Sequence, residues 1–330
     1  MSMQNFSSEF QSPEHYIIDI TFKIWEERGV GRIHDWYAPI CPVRRPHGVT
    51  HTVEEVVDNT LRALARPTLT REVLAEDVII GDKPSGFYSS HRVRSVNTRL
   101  SSDNSTVQSV MRLGIADCLC RDNQVVEEWV LGDEAGVLRR LGLDPVAYGR
   151  ELGTNKPEAY TIGNEAMRRR WADSNGLTIE GDQTIANHII DTYSALWNDK
   201  KIDVMDERYD RAVRLEGPDG YLSYGRSRTA DLFSGIHASI PDGRFEPHHL
   251  IVRHQPERPV RVALRWSYCG SHSGNGRYGK PTGCPISLLG ISHFELRDNK
   301  ILNEWLVVDE TAVYAQIAAH HPPRLELQQA

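Results

Sequence analysis

The chain of 330 residues is short of several things, and each shortage excludes a class of function. It has five scattered cysteines and no second Cys pair or His pair at ligand spacing, so neither a disulfide framework nor a zinc site is expected. Cys118 and Cys120 instead alternate along an expected strand and share a face as small apolar fillers. Basic residues are few: 38 Lys and Arg against 45 Asp and Glu give a net charge of −7, whereas a nucleic-acid binder would show a basic face. No apolar run approaches the roughly 20 residues that span a membrane. The opening residues, Met1 to Ser12, lack the basic and apolar regions of a signal peptide and read as a disordered tail. A reducing cytoplasm is the simplest compartment to expect. A hydrophobic content of 39% with 25% charge describes a soluble globular protein, and the length suits two ordinary domains.

What the chain does have is a repeat. The stretch from Asp298 to Glu310, D-N-K-I-L-N-E-W-L-V-V-D-E, is written once before as D-N-Q-V-V-E-E-W-V-L-G-D-E from Asp122 to Glu134. At a constant offset of 176, Glu128 meets Glu304, Trp129 meets Trp305, and Asp133 meets Asp309. Leu113-Gly114-Ile115 falls on Leu289-Gly290-Ile291 at the same offset. Further upstream, Ile17-Ile18-Asp19 followed by Trp25 matches Ile189-Ile190-Asp191 followed by Trp197 at an offset of 172. The match therefore spans whole domains and implies an internal duplication.

Each half shows helical patterns first and strand patterns afterwards. A helix from Pro13 ends near Gly29, a short one covers Ile33 to Tyr37, and Thr52 with Glu55 has capping-box spacing before a helix from Val53 to Ala65. The run Pro39 to Val49 between them reads as irregular loop. Strands follow over Val73–Gly81, Gly86–Arg99, Gln108–Cys120 and Val125–Gly132, and again over His248–His254, Val260–His272, Ile286–Leu296 and Ile301–Val308. Segregated helices and strands predict α+β: two tandem cone-shaped domains, each with N-terminal helices packed on a strongly curved antiparallel sheet. The expected boundaries are a tail over 1–12, domains over 13–145 and 184–320, a linker over 146–183 with a helix from Pro157 to Ala172, and a tail over 321–330.

Alternation along the last strand puts Ile301, Asn303, Trp305, Val307 and Asp309 on one face, and Leu302, Glu304, Leu306 and Val308 on the other. A carboxylate beside an indole and away from water has its charged form disfavoured, which suits a general acid or base. Trp129 and Asp133 repeat the arrangement. The competing reading is that each Asp caps the helix that follows it. His248 and His249 are adjacent, so on a strand they face opposite ways and cannot jointly hold a metal.

Several segments of the second half resemble the SnoaL-like polyketide cyclases of the nuclear transport factor 2-like superfamily. They are Ile240-Pro241-Asp242, Arg265-Trp266, Gly270-Ser271-His272-Ser273-Gly274, Gly279-Lys280-Pro281-Thr282-Gly283, and the closing E-W-x-x-x-D of Glu304 to Asp309. The first half is similar more weakly: it keeps Ser90-His91-Arg92 and the E-W-x-x-x-D ending but lacks the P-T-G segment. The resemblance implies a pocket inside each cone, chemistry without metal or organic cofactor, and pairing sheet to sheet, made internally here as a pseudo-dimer with a homodimer also open. It implies an intramolecular aldol-type ring closure on a small-molecule substrate, with an aspartate at the end of the last strand as acid and base. That position is Asp309, with Asp133 as its repeat, and the family's polar neighbour on the central strand matches His272 and His91.

In the resulting scheme Asp309 removes a proton next to a carbonyl, His272 or Arg265 donates a hydrogen bond to the enolate, and the same Asp returns the proton. Trp305, Trp129, Trp266, Tyr268, Trp197 and Trp25 are expected to line the pocket, suiting a largely apolar carbonyl compound. A hydrolase or dehydratase in the same pocket, or a ligand-binding or pairing module without chemistry, is the alternative. The loss of P-T-G from the first copy favours the second as the active one.

Overall fold

The computed structural model describes residues 3–65, 69–100, 107–172 and 176–321. The first half begins with α1 (Pro13–Trp25) and α2 (Ile33–Trp36), a hairpin of β1 (Ile40–Arg45) and β2 (Gly48–Thr52), and α3 (Val53–Leu64). Four long strands follow: β3 (Leu69–Lys83), β4 (Gly86–Leu100), β5 (Val107–Arg121) and β6 (Gln124–Gly132). The connecting segment carries α4 (Glu134–Arg140), α5 (Pro145–Asn155), α6 (Pro157–Tyr160), α7 (Asn164–Trp171) and a short β7 (Thr178–Glu180). The second half has α8 (Gln183–Trp197), α9 (Val204–Arg208), β8 (Tyr209–Glu216), β9 (Leu222–Tyr224) and α10 (Arg226–Ser239). Then come β10 (Arg244–Arg253), β11 (Val260–Ser271), β12 (Pro285–Arg297), β13 (Lys300–Val308) and the closing α11 (Glu310–His320).

The architecture is α+β, as expected, and the two sheets have the same topology. Their orders are β2-β1-β6-β5-β4-β3 and β9-β8-β13-β12-β11-β10, the second extended by β7 beside β10. The strand pairs β5–β6 and β12–β13 turn at Asp122-Asn123 and Asp298-Asn299, and all four residues have positive φ, the conformation a two-residue hairpin turn requires. Neither sheet is purely antiparallel, contrary to expectation, because β1 runs parallel to β6 and β8 parallel to β13. The hairpin of β1 and β2 lies in the run that reads as loop. Pro42 hides it in the sequence, and the register shift between Ile40 and Val43 accommodates it, since proline is tolerated at bulges.

Two further expectations fail. Residues 3–12 are not a loose tail: Phe10 is buried, Phe6 meets Tyr16 edge-on at 5.1 Å, and Asn5 donates to Asp122 at 2.8 Å. The connecting helix expected from Pro157 to Ala172 is broken into α6 and α7. The capping box at Thr52 and Glu55 forms as the spacing predicts. Of the expected tail over 321–330, residues 322–330 lie outside the described residues.

The two sheets meet face to face. Their shared core joins Ile79, Leu113, Ile115, Trp129 and Leu131 of the first half to Ile251, Ala263, Leu289, Ile291, Trp305 and Val307 of the second. The contact is reciprocal. Arg265 stacks over the Trp129 ring at 3.3 Å, and Arg92, at the equivalent place in the first sheet, stacks over Trp305 at 3.6 Å. Desolvated stacking of this kind contributes about 2 kcal/mol or more per pair. Such self-complementary swapping of one patch is what a two-fold interface shows, here between unlike halves of one chain. Around it run buried ion pairs: Asp117 meets Arg265 at 3.2 Å and His249 at 2.8 Å, and His249 reaches Glu180 at 2.6 Å.

Candidate active site

The faces of β13 are the reverse of those needed to put Trp305 and a catalytic Asp309 in one pocket. Trp305 and Val307 point into the joint between the sheets, while Glu304, Leu306 and Val308 point into the second cone. Both faces of the strand are apolar, so only the partner sheet decides which is inward. Trp129 lies in the same joint, its indole donating to the Trp171 carbonyl at 2.9 Å, so neither tryptophan lines a cone.

Both aspartates cap helices. Asp309 precedes α11 and accepts from the Thr311 N–H at 3.0 Å and the Thr311 hydroxyl at 2.6 Å. It is half-buried, and desolvation, with the Glu134 charge adding to it, pushes its pKa up to about 7. Asp133 precedes α4 and accepts three backbone N–H groups, from Gly136, Asp219 and Gly220, at 2.8–2.9 Å. Two of those belong to the β8–β9 loop, so Asp133 pins one half to the other. Burial raises its pKa against the pull of those N–H groups. Arg265 is held in the joint by Asp117 and Trp129 and reaches no cone. His272 sits just beyond β11, where its Nδ1 meets the Thr282 hydroxyl at 3.1 Å and its backbone pairs with Thr282, Gly283 and Cys284. It organises the Gly-Lys-Pro-Thr-Gly loop; burial lowers its pKa. His248 and His249 find separate partners, Ser267 and the Asp117–Glu180 pair.

Three of the aromatics expected to line a pocket pack instead within the core of the second cone. Trp197, Trp266 and Tyr268 are fully buried there, with Trp197 5.1 Å from Trp266 and 4.8 Å from Tyr268, ring to ring. Trp25, the counterpart of Trp197, is only half-buried against the first core. What the sequence reasoning missed is the carboxylate inside this cone. Glu304 is wholly buried; its Oε1 accepts from the Tyr193 hydroxyl, and its Oε2 has no hydrogen-bond partner among the described residues. Tyr193 is 2.9 Å from the Ser292 hydroxyl, which in turn accepts from the Trp266 indole at 3.0 Å. Since the indole only donates, and Tyr193 gives its proton to Glu304, Ser292 must donate to Tyr193. The relay Trp266 to Ser292 to Tyr193 to Glu304 therefore has one direction. The Tyr209 hydroxyl lies against the same carboxylate and helps hold its charge without a well-formed hydrogen bond. Burial outweighs both tyrosines and pushes the Glu304 pKa up to about 7.

The first cone keeps part of this set. Glu128 accepts from Tyr37 at 3.3 Å and faces the Cys118 thiol at 3.7 Å, and burial raises its pKa. Cys41, Cys118 and Cys120 are buried apolar filling, as read for the latter two. The signal that could have found the carboxylates was in the repeat: Glu128 and Glu304 recur at an offset of 176, Tyr37 and Tyr209 at 172.

Residues 187–317 match the family model of the SnoaL-like polyketide cyclases, 131 of the 330 residues. No curated protein matches the chain. Among solved structures, it is similar to a SnoaL-like polyketide cyclase from Agrobacterium tumefaciens, at 21% identity over 41% of this chain and 99% of that one, with a TM-score of 0.33. It is also similar to TsrD from Streptomyces laurentii, at 16% identity over 42% and 99% and a TM-score of 0.37. IdmH from Streptomyces antibioticus aligns at 19% identity over 41% and 99%, with a TM-score of 0.35.

Proposed function

We propose, from the premise that residues 187–317 are a domain of the SnoaL-like polyketide cyclase family, that the protein is a cofactor-independent acid–base enzyme acting on a small, largely apolar carbonyl compound. The reaction centre is the interior of the second cone, and Glu304 rather than Asp309 is its general acid and base. The observation that carries this is a buried carboxyl with a pKa near 7, one oxygen held by Tyr193 and the other without a partner. A group poised near the working pH both takes and returns a proton.

In this scheme the free Oε2 of Glu304 removes the proton next to the substrate carbonyl. The Tyr209 hydroxyl, fully buried and not otherwise hydrogen-bonded, donates to the oxygen as enolate charge develops. Tyr193, fed by Ser292 and Trp266, tracks the change in charge on Oε1. The protonated Glu304 then returns its proton to the new alkoxide. Trp197, Trp266 and Phe245 make the surroundings apolar. The internal pseudo-dimer, which the reciprocal stacking supports, holds the cone from outside.

The test is α-proton exchange of aryl ketones in D2O, followed by proton NMR with the full chain and with Glu304→Gln and Asp309→Asn. General acid–base catalysis contributes about 10²–10⁴-fold, so E304Q should lose that much while D309N keeps its rate. E304Q exchanging as fast as the wild type would sink the assignment. Ketones that bind without exchanging would move the protein to the ligand-binding reading.

A further inference from the structure

The relay in the second cone is held from behind. Trp266, Ser292 and Glu304 stand on three neighbouring strands, β11, β12 and β13, with their side chains toward the cone. Each has a chain neighbour that points the opposite way, because side chains alternate along a strand. Those neighbours are Arg265, His293 and Trp305, and the first half grips all three. Arg265 stacks on Trp129 at 3.3 Å and lies 3.2 Å from Asp117. His293 donates to Ser90 at 2.8 Å and accepts from Arg92 at 3.3 Å. Trp305 lies under Arg92 at 3.6 Å. Ser90, Arg92, Asp117 and Trp129 are all buried, so these contacts are shielded from water. His91, between Ser90 and Arg92, turns away from the joint by the same alternation and takes no part.

The first half has kept the gripping face and lost the reacting one. Its Arg92, Asp117 and Trp129 hold the places of Arg265, His293 and Trp305. On the inner face, Val93 stands where β11 has Trp266, and Ala116 where β12 has Ser292. At an offset of 172, Thr21 stands where α8 has Tyr193. Valine and alanine carry no group that passes a proton. The Thr21 hydroxyl serves its own helix, donating to the Ile17 carbonyl at 2.7 Å. Glu128 therefore keeps the place of Glu304 without the relay behind it.

We infer that Ser90 and Arg92 of the first half are positioning residues for the second: by fixing His293 and Trp305 they set where Ser292 and Glu304 stand, and hence the hydrogen bond that Tyr193 gives to Glu304. The inference deepens the reading of Glu304 as acid and base, and rests on it. A reacting group has to be held to about 0.5 Å by its supporting contacts. Misplacement by about 1 Å costs on the order of 100-fold in rate. The titratable groups against Glu304 are Tyr193 on α8 and Tyr209 on β8, and both favour its charged form against burial. Drawing Glu304 away from Tyr193 therefore raises its pKa.

The experiment follows the Glu304 carboxyl by carbon NMR in the full chain labelled at glutamate, its signal being the one missing from Glu304→Gln. Ser90→Ala and Arg92→Lys both conserve charge, so a shift at Glu304 does not come from a charge added or removed. Lysine keeps the charge of Arg92 but not its flat stacking face. Glu304 should titrate near pH 7 in the wild type. Ser292→Ala cuts the relay and should raise that value by about one unit, with S90A and R92K each raising it by about half a unit or more. S90A should add nothing in the S292A background, because it acts through Ser292. In the ketone-exchange assay both variants should lose about tenfold or more in kcat with KM kept. The midpoint of the pH–rate profile should rise with the carboxyl. A change that only loosened the fold would lower the folded fraction and move neither midpoint. A titration unmoved in S90A or in R92K, or an S90A shift just as large without Ser292, overturns the inference. E304Q exchanging as fast as the wild type sinks the catalytic reading instead, and the carboxyl titration still decides the positioning.

Discussion

Replacing Asp117 by Ala removes the acceptor that two buried cations share. Its Oδ2 takes His249 Nδ1 at 2.8 Å and Arg265 Nε at 3.2 Å, across the joint between the halves. Removing one partner of a buried ion pair costs about 3–5 kcal/mol, because the other charge stays desolvated. The two cations respond differently. Arg265 cannot shed its proton and stays stacked on Trp129. His249 can. Burial alone would lower its pKa, but Asp117 and Glu180 overcome that and raise it to about 9. Against an ordinary value near 6.5, that corresponds to about 3 kcal/mol supplied jointly by the two carboxylates. A histidine whose folded pKa is raised contributes stability that is complete below pH 6.5 and is lost as the pH climbs through about 9. D117A should therefore lose about 3–5 kcal/mol at pH 7 in urea unfolding followed by tryptophan fluorescence. Its stability should also be flatter than that of the wild type between pH 6.5 and 9. Because the network bridges the halves, the variant's transition should split in two. A loss under about 1 kcal/mol, far below a broken buried pair, with an unchanged pH slope, would refute this account.

On the acid side the sign is opposite. His91, His248 and His293 are buried neutral with lowered pKa values, to about 4 and about 3 for the first two. Unfolding exposes them to protonation, so stability should fall as the pH drops below 6.5; a thermal melt series from pH 7 to 4 checks it, and a flat profile contradicts it. Gly153 lets α5 lie on α11, because a Cβ there would sit 2.1 Å from the Ala315 carbonyl oxygen. Gly153→Leu should separate the two helices and cost about 1–3 kcal/mol, the usual penalty of overpacking, measured as a shift in urea midpoint.

The strands were legible because period-2 runs bounded by Asp-Asn turns leave little choice, and the topological equivalence of the halves follows the repeat. The facing of β13 was not legible. Trp305 and Glu304 sit on faces of similar polarity, and only the apposed sheet, with Arg92 over Trp305, shows which is outside. Composition concealed β1, since Arg44 and Arg45 lie in the run Pro39 to Val49 that reads as loop. Arg44 in fact lies over Trp129 and pairs with Glu127 at 3.0 Å. Spacing left capping and catalysis both open for Asp133 and Asp309. The cap geometry is plain for both, and their recurrence reflects two helices that each need a start.

The joint also explains why unlike halves pair. Asp77 and His249 hold equivalent places, each opposite its sheet's arginine, Arg92 or Arg265. Asp117 and His293 are equivalent too, each opposite its tryptophan, Trp129 or Trp305. In the chain as it is, His249 meets Asp117 and both charges are satisfied. Around His293 the solution is neutral: Nδ1 accepts from Arg92 at 3.3 Å, so the proton is on Nε2 and is donated to Ser90 at 2.8 Å. Asp77 turns instead to Arg261 and Arg258. Two first halves paired in the same way would set Asp77 against Asp117, two buried carboxylates. Two second halves would set His249 against His293 beside Arg265, with no carboxylate between them. Like pairing is penalised by unmatched charge and unlike pairing is not, which is how specificity by repulsion works. A chain that carries both halves delivers the unlike pair by construction.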